Sequence, residues 1–136
     1  MAFSDGRPAV EKAVASSHLV LVATHLMFQS RIREAVRALG LEVTVADSTE
    51  AVRDALRSPT ALVVLDLQAE GVPWEDVVSA AKDGPGGPVP VLAYGQHTKP
   101  ALLRAARAAG CDLVVPRSRL VADLPRLIEK LAIYHG

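Results

Sequence analysis

The chain has 136 residues, half of them apolar, which is about one domain and enough to bury a hydrophobic core, so a disordered chain is excluded. Lys and Arg number 15, as do Asp and Glu, so no net charge draws the whole molecule to nucleic acid or to an acidic membrane surface. The single cysteine, Cys111, excludes an intramolecular disulfide and a cysteine-based metal cluster.

The apolar runs are too short for a membrane-spanning segment or a secretion signal. The run at 61–65 is far below the roughly 20 residues that span a bilayer. Residues 1–17 contain charged side chains and lack the apolar stretch of a secretion signal. We therefore expect a cytoplasmic protein that does not contact a membrane.

From residue 17 onward, short β-rich runs alternate with helical patterns five times. The predicted strands are 18–22, 42–46, 61–67, 89–94 and 113–115. After His18, the first of them is continuously apolar, as is typical of a sheet that is covered on both faces. In the first predicted helix, apolar residues recur at spacings of three and four between Phe28 and Leu39, and Gly40 ends the pattern.

The starts of the later helices are predicted from single residues. Asp47 precedes Glu50 by three residues, which predicts a capping-box start for the second helix. Pro73 and Pro100 are predicted to be the first residues of the third and fourth helices, a position that proline favours. In the fifth helix, Pro125 is expected in the first turn, where proline is tolerated.

This alternation predicts a parallel sheet, and right-handed crossovers then place helices on both faces to give a three-layer α/β domain. Five such units fit the flavodoxin-like strand order 2-1-3-4-5. We expect one domain over residues 17–136, preceded by a loose extension over residues 1–16. The chain ends soon after the fifth helix, so we expect a stand-alone domain that acts through a partner.

Ligands of such sheets bind outside the carboxyl ends of the strands, next to the point where the strand order reverses. These ends are predicted at 23–25, Asp66, 95–97 and 116–118. We expect the side chains of these segments to converge.

Three short motifs point to a known family when their order and spacing are taken together. Residues 63–67 read Val-Val-Leu-Asp-Leu, residues 90–94 read Pro-Val-Leu-Ala-Tyr, and residues 110–112 read Gly-Cys-Asp. They resemble the third strand, the fourth strand and the segment before the fifth strand of CheY-like receiver domains of two-component response regulators. The resemblance covers about residues 18–136 and implies that Asp66 is equivalent to the family's phosphoacceptor aspartate.

The other site residues implied by the resemblance depart from the family pattern. Ala23 and Thr24 stand where receivers usually carry an acidic pair, Gly95 stands where they carry a Thr or Ser, and Arg117 replaces a lysine. Since Mg²⁺ prefers several oxygen ligands, the single carboxylate of Asp66 is a poor binding site for it. The resemblance is therefore to a degenerate, pseudo-receiver domain. We expect a binding module without cofactor or metal, and not an enzyme.

Asp66 allows three interpretations. We favour an ion pair with Arg117, because losing the charge of a metal would raise the barrier to phosphoryl transfer. The alternatives are a receiver that is phosphorylated at Asp66, and a small anion- or nucleotide-binding domain that uses Arg117 near helix N-termini. His25 and His97 flank the same crevice and could form a metal site or an acid–base pair, although their spacing carries no ligand signature.

Receivers commonly contact partners through the fourth helix, the fifth strand and the fifth helix. The equivalent residues here are Arg104, Arg107, Arg119 and Arg126, and the alternative is a solvated basic face. The resemblance implies a protein partner, such as a histidine kinase, a regulator or another signalling protein, or a second copy of the chain. Nucleic-acid binding is disfavoured because the charges balance and no helix-turn-helix remains.

Three further features favour structural roles. Cys111 occupies a position that is small in receivers, which favours a buried, inert thiol. Trp74 is expected to cover the end of the sheet, with a partner contact as the alternative. Residues 84–88, Gly-Pro-Gly-Gly-Pro, precede a strand and are interpreted as a connection, because a phosphate loop would link a strand to a helix and be followed by Lys-Ser or Lys-Thr.

Overall fold

A computed structural model describes residues 18–84 and 87–133, which contain a sheet of five strands. The strands are β1 His18–Val22, β2 Glu42–Val45, β3 Thr60–Asp66, β4 Val91–Gly95 and β5 Leu113–Pro116. The helices are α1 Leu26–Ala38, α2 Thr49–Ala55, α3 Trp74–Asp83, α4 Pro100–Ala108 and α5 Arg117–Ile128, and a π-helical turn, Glu129–Ile133, follows α5. The predicted extension over residues 1–16 lies outside the described residues, as do residues 85–86 of the predicted connection.

The strands pair in parallel in the order β2-β1-β3-β4-β5, which confirms the predicted α/β topology. The strand order reverses at β1, whose neighbours are β2 and β3. In the register of β3 and β4, Asp66 lies opposite Tyr94, and in that of β4 and β5, Gly95 lies opposite Pro116. The carboxyl ends of these three strands therefore meet at one edge of the sheet.

Alternation along the strands divides the core between the two faces of the sheet. On one face, Leu19, Leu62 and Tyr94 pack with apolar residues of α1 and α5. On the other face, Val20 and Val63 pack with residues of α2, α3 and α4. Both faces are covered, which explains the continuous apolar strands. None of the helices within the described ranges is long and apolar enough to cross a membrane.

Strand β4 begins two residues later than predicted. The Val89 amide donates to the Ala81 carbonyl at 2.9 Å, which ties Val89 to α3, and Pro90 has no amide hydrogen to donate to a neighbouring strand. Regular pairing with β3 therefore begins at Val91.

The predicted cap of α2 is wrong by one residue. The N-cap is Ser48, whose hydroxyl accepts a hydrogen bond from the Ala51 amide at 3.0 Å, while Asp47 is exposed. A hydroxyl that accepts from the third residue onward satisfies one of the unpaired amides of a first turn. Either Asp47 or Ser48 satisfies the residue preference for a cap, and only the backbone conformation distinguishes them.

The position of Pro125 also differs from the prediction. Helix α5 begins at Arg117, so Pro125 lies inside it and not in its first turn. Asp123 departs from helical geometry, with φ −115° and ψ 17°, so Pro125 opens only the segment that follows this bend. Proline cannot donate to the carbonyl four residues earlier and its ring crowds that carbonyl, which accounts for the kink.

The predicted ends of the first and fourth helices are confirmed. Gly40 and Gly110 have φ values of 81° and 109°, a region that glycine enters without the steric cost of a Cβ. The turn at Gly40 leads into β2, and the turn at Gly110 leads toward β5.

Candidate functional site

Asp66 is the last residue of β3 and lies at the sheet edge where ligands of this topology bind. Its side chain is buried, with 5% of the residue exposed. The Gln68 amide donates to the Asp66 Oδ1 at 2.9 Å, so the turn after β3 holds the carboxylate in place. Among the described residues, Asp66 is the one charged residue that is buried, and buried titratable groups cluster at functional sites.

Arg117, the first residue of α5, contacts this carboxylate. Its Nη2 lies 3.8 Å from the Asp66 Oδ2, which confirms the expected ion pair. The guanidinium carbon also lies 5.8 Å from the ring centre of Phe28 and 5.9 Å from that of Tyr94, within the range of cation–π attraction. The two rings lie 5.0 Å apart in a tilted arrangement. Two aromatic residues thus support the arginine that faces Asp66.

Burial raises the pKa of the Asp66 carboxyl above its ordinary value, although the Gln68 amide, Arg117 and His25 each act to lower it. The cost of removing the carboxylate from water therefore exceeds the attraction of the groups around it. The ion pair reduces that cost without cancelling it.

A cavity of about 290 Å³ opens beside this pair. Its lining residues are His25, Met27, Phe28, Arg31, Asp66, Tyr94 and Arg117. They come from the start of α1, the ends of β3 and β4, and the start of α5. The convergence of three of the four predicted strand ends is thereby observed, since segments 23–25, 116–118 and Asp66 all contribute.

The two positions predicted to correspond to a receiver acidic pair, Ala23 and Thr24, carry no acid. Ala23 is fully buried and its carbonyl accepts a hydrogen bond from the Gln29 Nε2 at 2.5 Å, while Thr24 is exposed. Within residues 18–84 and 87–133, no three His, Cys, Asp or Glu side chains are grouped as metal ligands would be. A divalent ion that prefers several oxygens would find a single carboxylate here, already beside a guanidinium. The donor set does not fit Mg²⁺.

The strand-four positions lie apart from this cavity. Gly95 is buried on the α4 side, where a Cβ would lie 3.3 Å from the Leu103 Cδ2. His97 is exposed and is not among the residues that line the cavity, whereas His25 is. The structure therefore does not bring the two histidines together around Asp66, and the metal or acid–base alternative loses its geometric basis.

The four arginines of the predicted partner face are all exposed. Arg104 and Arg107 lie on α4, and the Arg107 Nη2 donates to the Val114 carbonyl at 3.3 Å. Arg119 and Arg126 lie on α5, where the Arg119 Nε is 3.7 Å from the Asp123 Oδ2. Two of the four thus contact groups of the chain itself.

Cys111 and Trp74 occupy structural environments. Cys111 is buried, and burial and the nearby Asp112 raise its pKa to about 11 against the opposing effect of Lys82, so the thiol is protonated at neutral pH. Such a thiol is a poor nucleophile. Trp74 is partly buried and packs against the core on the α3 side, which favours its structural interpretation over a partner contact.

Sequence reasoning missed the aromatic residues and Arg31. Tyr94 is an even number of residues from the buried positions of its strand that share the α1 face, so alternation could have placed it beside Asp66. The apolar spacing of α1 places Phe28 on the buried face of the helix but not beside Tyr94, and no signal in the sequence places Arg31 at the cavity, because both positions depend on how α1 packs.

No protein-family model and no curated protein matches the chain. Its fold does match solved structures. The receiver domain of the Francisella response regulator 1452 superposes with a TM-score of 0.73 at 11% identity, over 88% of this chain and 99% of that one. The receiver domain of the sensor histidine kinase PA1611 from Pseudomonas aeruginosa PAO1, solved with magnesium in its active site cleft, gives 0.69 at 21% identity, over 86% and 98%.

A third match comes from a structure of a two-protein complex. It is a chain of the co-crystal structure of the Saccharomyces cerevisiae histidine phosphotransfer protein Ypd1 and the receiver domain of its downstream response regulator Ssk1, with a TM-score of 0.72 at 16% identity, over 88% and 92%. Identities at this level establish architecture, while function depends on the site. The chain has the CheY-like fold of response regulator receiver domains.

Proposed function

We propose that this chain is a pseudo-receiver, a module of receiver fold that acts in signal transduction by protein–protein contact and without an aspartyl-phosphate switch. One observation carries the proposal. Asp66 lies 3.8 Å from a guanidinium, and within the described residues no group of metal-ligating side chains includes it.

The chemistry of phosphoryl transfer supports this reading. Transfer to an aspartate requires that the charge developing on the phosphoryl oxygens be neutralised, and in receivers a divalent ion does this. Here Asp66 is the sole carboxylate lining the cavity, and the positions of the acidic pair are a buried alanine and an exposed threonine. Arg117 can neutralise one negative charge but cannot replace a divalent ion with near-octahedral oxygen coordination.

The hydroxyl that would hydrogen-bond an acyl phosphate is also missing, since Gly95 occupies its position. Without the metal ligands and without this hydroxyl, the chain retains the shape of a receiver and loses the means to switch it. A receiver shape that does not switch can still serve as a binding surface. We therefore propose no enzymatic activity and assign the function to contact with another protein in the cytoplasm.

The proposed contact surface is the α4–β5–α5 face with its exposed arginines. The charges of Arg104 and Arg126 suit a partner that presents acidic side chains, and electrostatic attraction of this kind speeds encounter. The co-crystal of a receiver domain with a phosphotransfer protein supports a signalling protein, such as a histidine kinase or a regulator, as partner. A second copy of the chain, bound through the same face, is the alternative partner.

An amide NMR titration with Mg²⁺ followed by beryllofluoride tests the absence of switching. We expect no shifts at Asp66, Gly95 or Arg117 in the native protein. Shifts that vanish in Asp66→Asn would establish the alternative, a functional receiver that binds metal through an unusual ligand set, and would overturn the proposal.

The contact surface is tested by affinity capture of a partner. We expect Arg104→Glu to lose a partner that the native chain captures, because a repulsive charge replaces an attractive one. Arg33→Glu, at another exposed arginine that lies on α1, is the matched control and should retain the partner. Loss in both variants, or in neither, would place the interface elsewhere.

A further inference from the structure

Two buried hydrogen-bonding groups of the cavity lack a partner among the described residues. They are the Tyr94 hydroxyl and the Arg117 Nε. Tyr94 is fully buried, and both residues line the cavity beside Asp66. Burying a polar group without a hydrogen bond destabilises a protein, so two unpartnered groups on residues that line one cavity indicate a ligand.

Both groups are donors at neutral pH. Burial and the Asp66 carboxylate raise the pKa of the Tyr94 hydroxyl above its ordinary value, against the opposing effect of Arg117, so it keeps its proton. The Arg117 Nε carries a hydrogen and has no acceptor capacity. The complementary ligand group is therefore an acceptor.

We propose that this cavity binds a small aromatic carboxylate, whose oxygens accept from the Tyr94 hydroxyl and the Arg117 Nε and whose ring packs against Phe28. The site is independent of the proposed function, since neither protein contact nor the absence of phosphorylation requires a ligand here.

The charge of the cavity selects a monoanion. Two guanidinium groups, of Arg31 and Arg117, and the carboxylate of Asp66 line it, which leaves a surplus of one positive charge when all three are ionised. A carboxylate neutralises this surplus. A phosphate dianion would exceed it and would place its second charge near the Asp66 carboxylate, at a cost that grows with burial.

The size and the walls of the cavity select a small ring. A volume of about 290 Å³ is at the lower end of the range for small-molecule pockets. Half-buried Phe28 offers an aromatic surface, and Met27, 75% exposed at the rim, offers an adaptable apolar one. Such walls favour a flat apolar body over a sugar or a nucleotide.

Benzoate is the probe for this proposal, with benzamide as its neutral counterpart and inorganic phosphate as the competing anion. In an amide NMR titration we expect benzoate to shift Phe28, Tyr94 and Arg117, and benzamide and phosphate to bind more weakly. No shift at these residues with millimolar benzoate would overturn the proposal. Phosphate binding as tightly as benzoate would overturn the assignment to a carboxylate.

Variants separate the site from a nonspecific anion effect. Tyr94→Phe removes one charge-assisted hydrogen bond, so benzoate affinity should fall about tenfold or more. It should also raise the melting temperature of the free protein, because it removes an unpartnered buried hydroxyl. A lower melting temperature together with unchanged affinity would show that the hydroxyl serves the fold alone, and would overturn the proposal.

A variant at an exposed residue tests the site without disturbing the core. Arg31→Gln changes an exposed residue of α1 and should weaken benzoate binding, whereas Arg33→Gln, an exposed neighbour that does not line the cavity, should not. Equal affinity in the two variants would contradict the role of Arg31 in the site.

Discussion

The Arg117 Nη2 lies 3.8 Å from the Asp66 Oδ2 and joins the first residue of α5 to the last residue of β3. The two partners differ in exposure, since the side chain of Asp66 is 6% exposed and that of Arg117 is 42% exposed. The carboxylate therefore bears most of the cost of desolvation, and the arginine retains part of its hydration. This asymmetry explains why the pKa of Asp66 is raised although it has a cationic partner.

Asp66→Asn is expected to stabilise the protein at neutral pH. Because the folded pKa of Asp66 lies above 3.8, the unfolded chain loses this proton first as the pH rises, and the free energy of unfolding falls until the folded pKa is passed. Below that window both states are protonated and Asp66 imposes no such cost. The advantage of Asp66→Asn should thus be small near pH 3 and larger near pH 7, as measured by urea unfolding.

Glu70→Gln is the control for losing a negative charge, because Glu70 is exposed in the loop after β3. If Asp66→Asn were less stable than the native protein near pH 7, the attraction of Arg117 would outweigh the burial of the carboxylate, contrary to our account.

Ser48→Ala is expected to destabilise the protein by about 1 kcal/mol, because the Ala51 amide loses its acceptor in the first turn of α2. Asp47→Ala, the neighbouring change, should alter the free energy of unfolding by less than about 0.5 kcal/mol, since Asp47 is exposed and does not cap the helix. Chemical denaturation of the pair measures both values. A larger loss in Asp47→Ala would restore the capping box that the sequence predicts.

Asp112→Ala is expected to cost about 2 kcal/mol of stability. Its Oδ2 accepts from the Val91 amide at 2.7 Å and from the Lys82 Nζ, so the carboxylate connects the start of β4, the end of α3 and the segment before β5. Asp112→Asn keeps an acceptor for the Val91 amide and should lose clearly less stability than Asp112→Ala. Equal losses in the two variants would show that the charge, and not the hydrogen bond to Val91, provides the stabilisation.

Gly95→Ser is expected to fold and to remain unphosphorylated. The added Cβ would lie 3.3 Å from the Leu103 Cδ2, a flexible side-chain end that can shift slightly, so the loss of stability should stay near the lower end of the roughly 1–3 kcal/mol that overpacking costs. The variant restores a hydroxyl but no metal ligand. Incubation with acetyl phosphate and Mg²⁺, followed by mass spectrometry, should show no added phosphoryl group. Phosphorylation of Gly95→Ser alone would identify the hydroxyl, and not the acidic pair, as the missing element.

Much of the fold could be predicted because its signals are local. The apolar runs of β1 and β3, the helical spacing of α1 and the glycines that end α1 and α4 each act over a few residues. Right-handed crossover connections then leave few topologies open. The same reasoning predicts that Asp66 and Arg117 lie at one edge of the sheet, because parallel strands bring their carboxyl ends together there.

The sequence alone predicts the order of the elements and the parallel sheet, and it favours the pairing of Asp66 with Arg117 among three interpretations of Asp66. It does not reveal that Phe28, Arg31 and Tyr94 share a cavity with that pair, or that Tyr94 and Arg117 carry donors without a partner among the described residues; the three-dimensional structure shows both. The reason is physical: periodicity specifies which face of an element is buried, whereas contact between side chains far apart in the chain depends on strand register and on how each helix packs against the sheet.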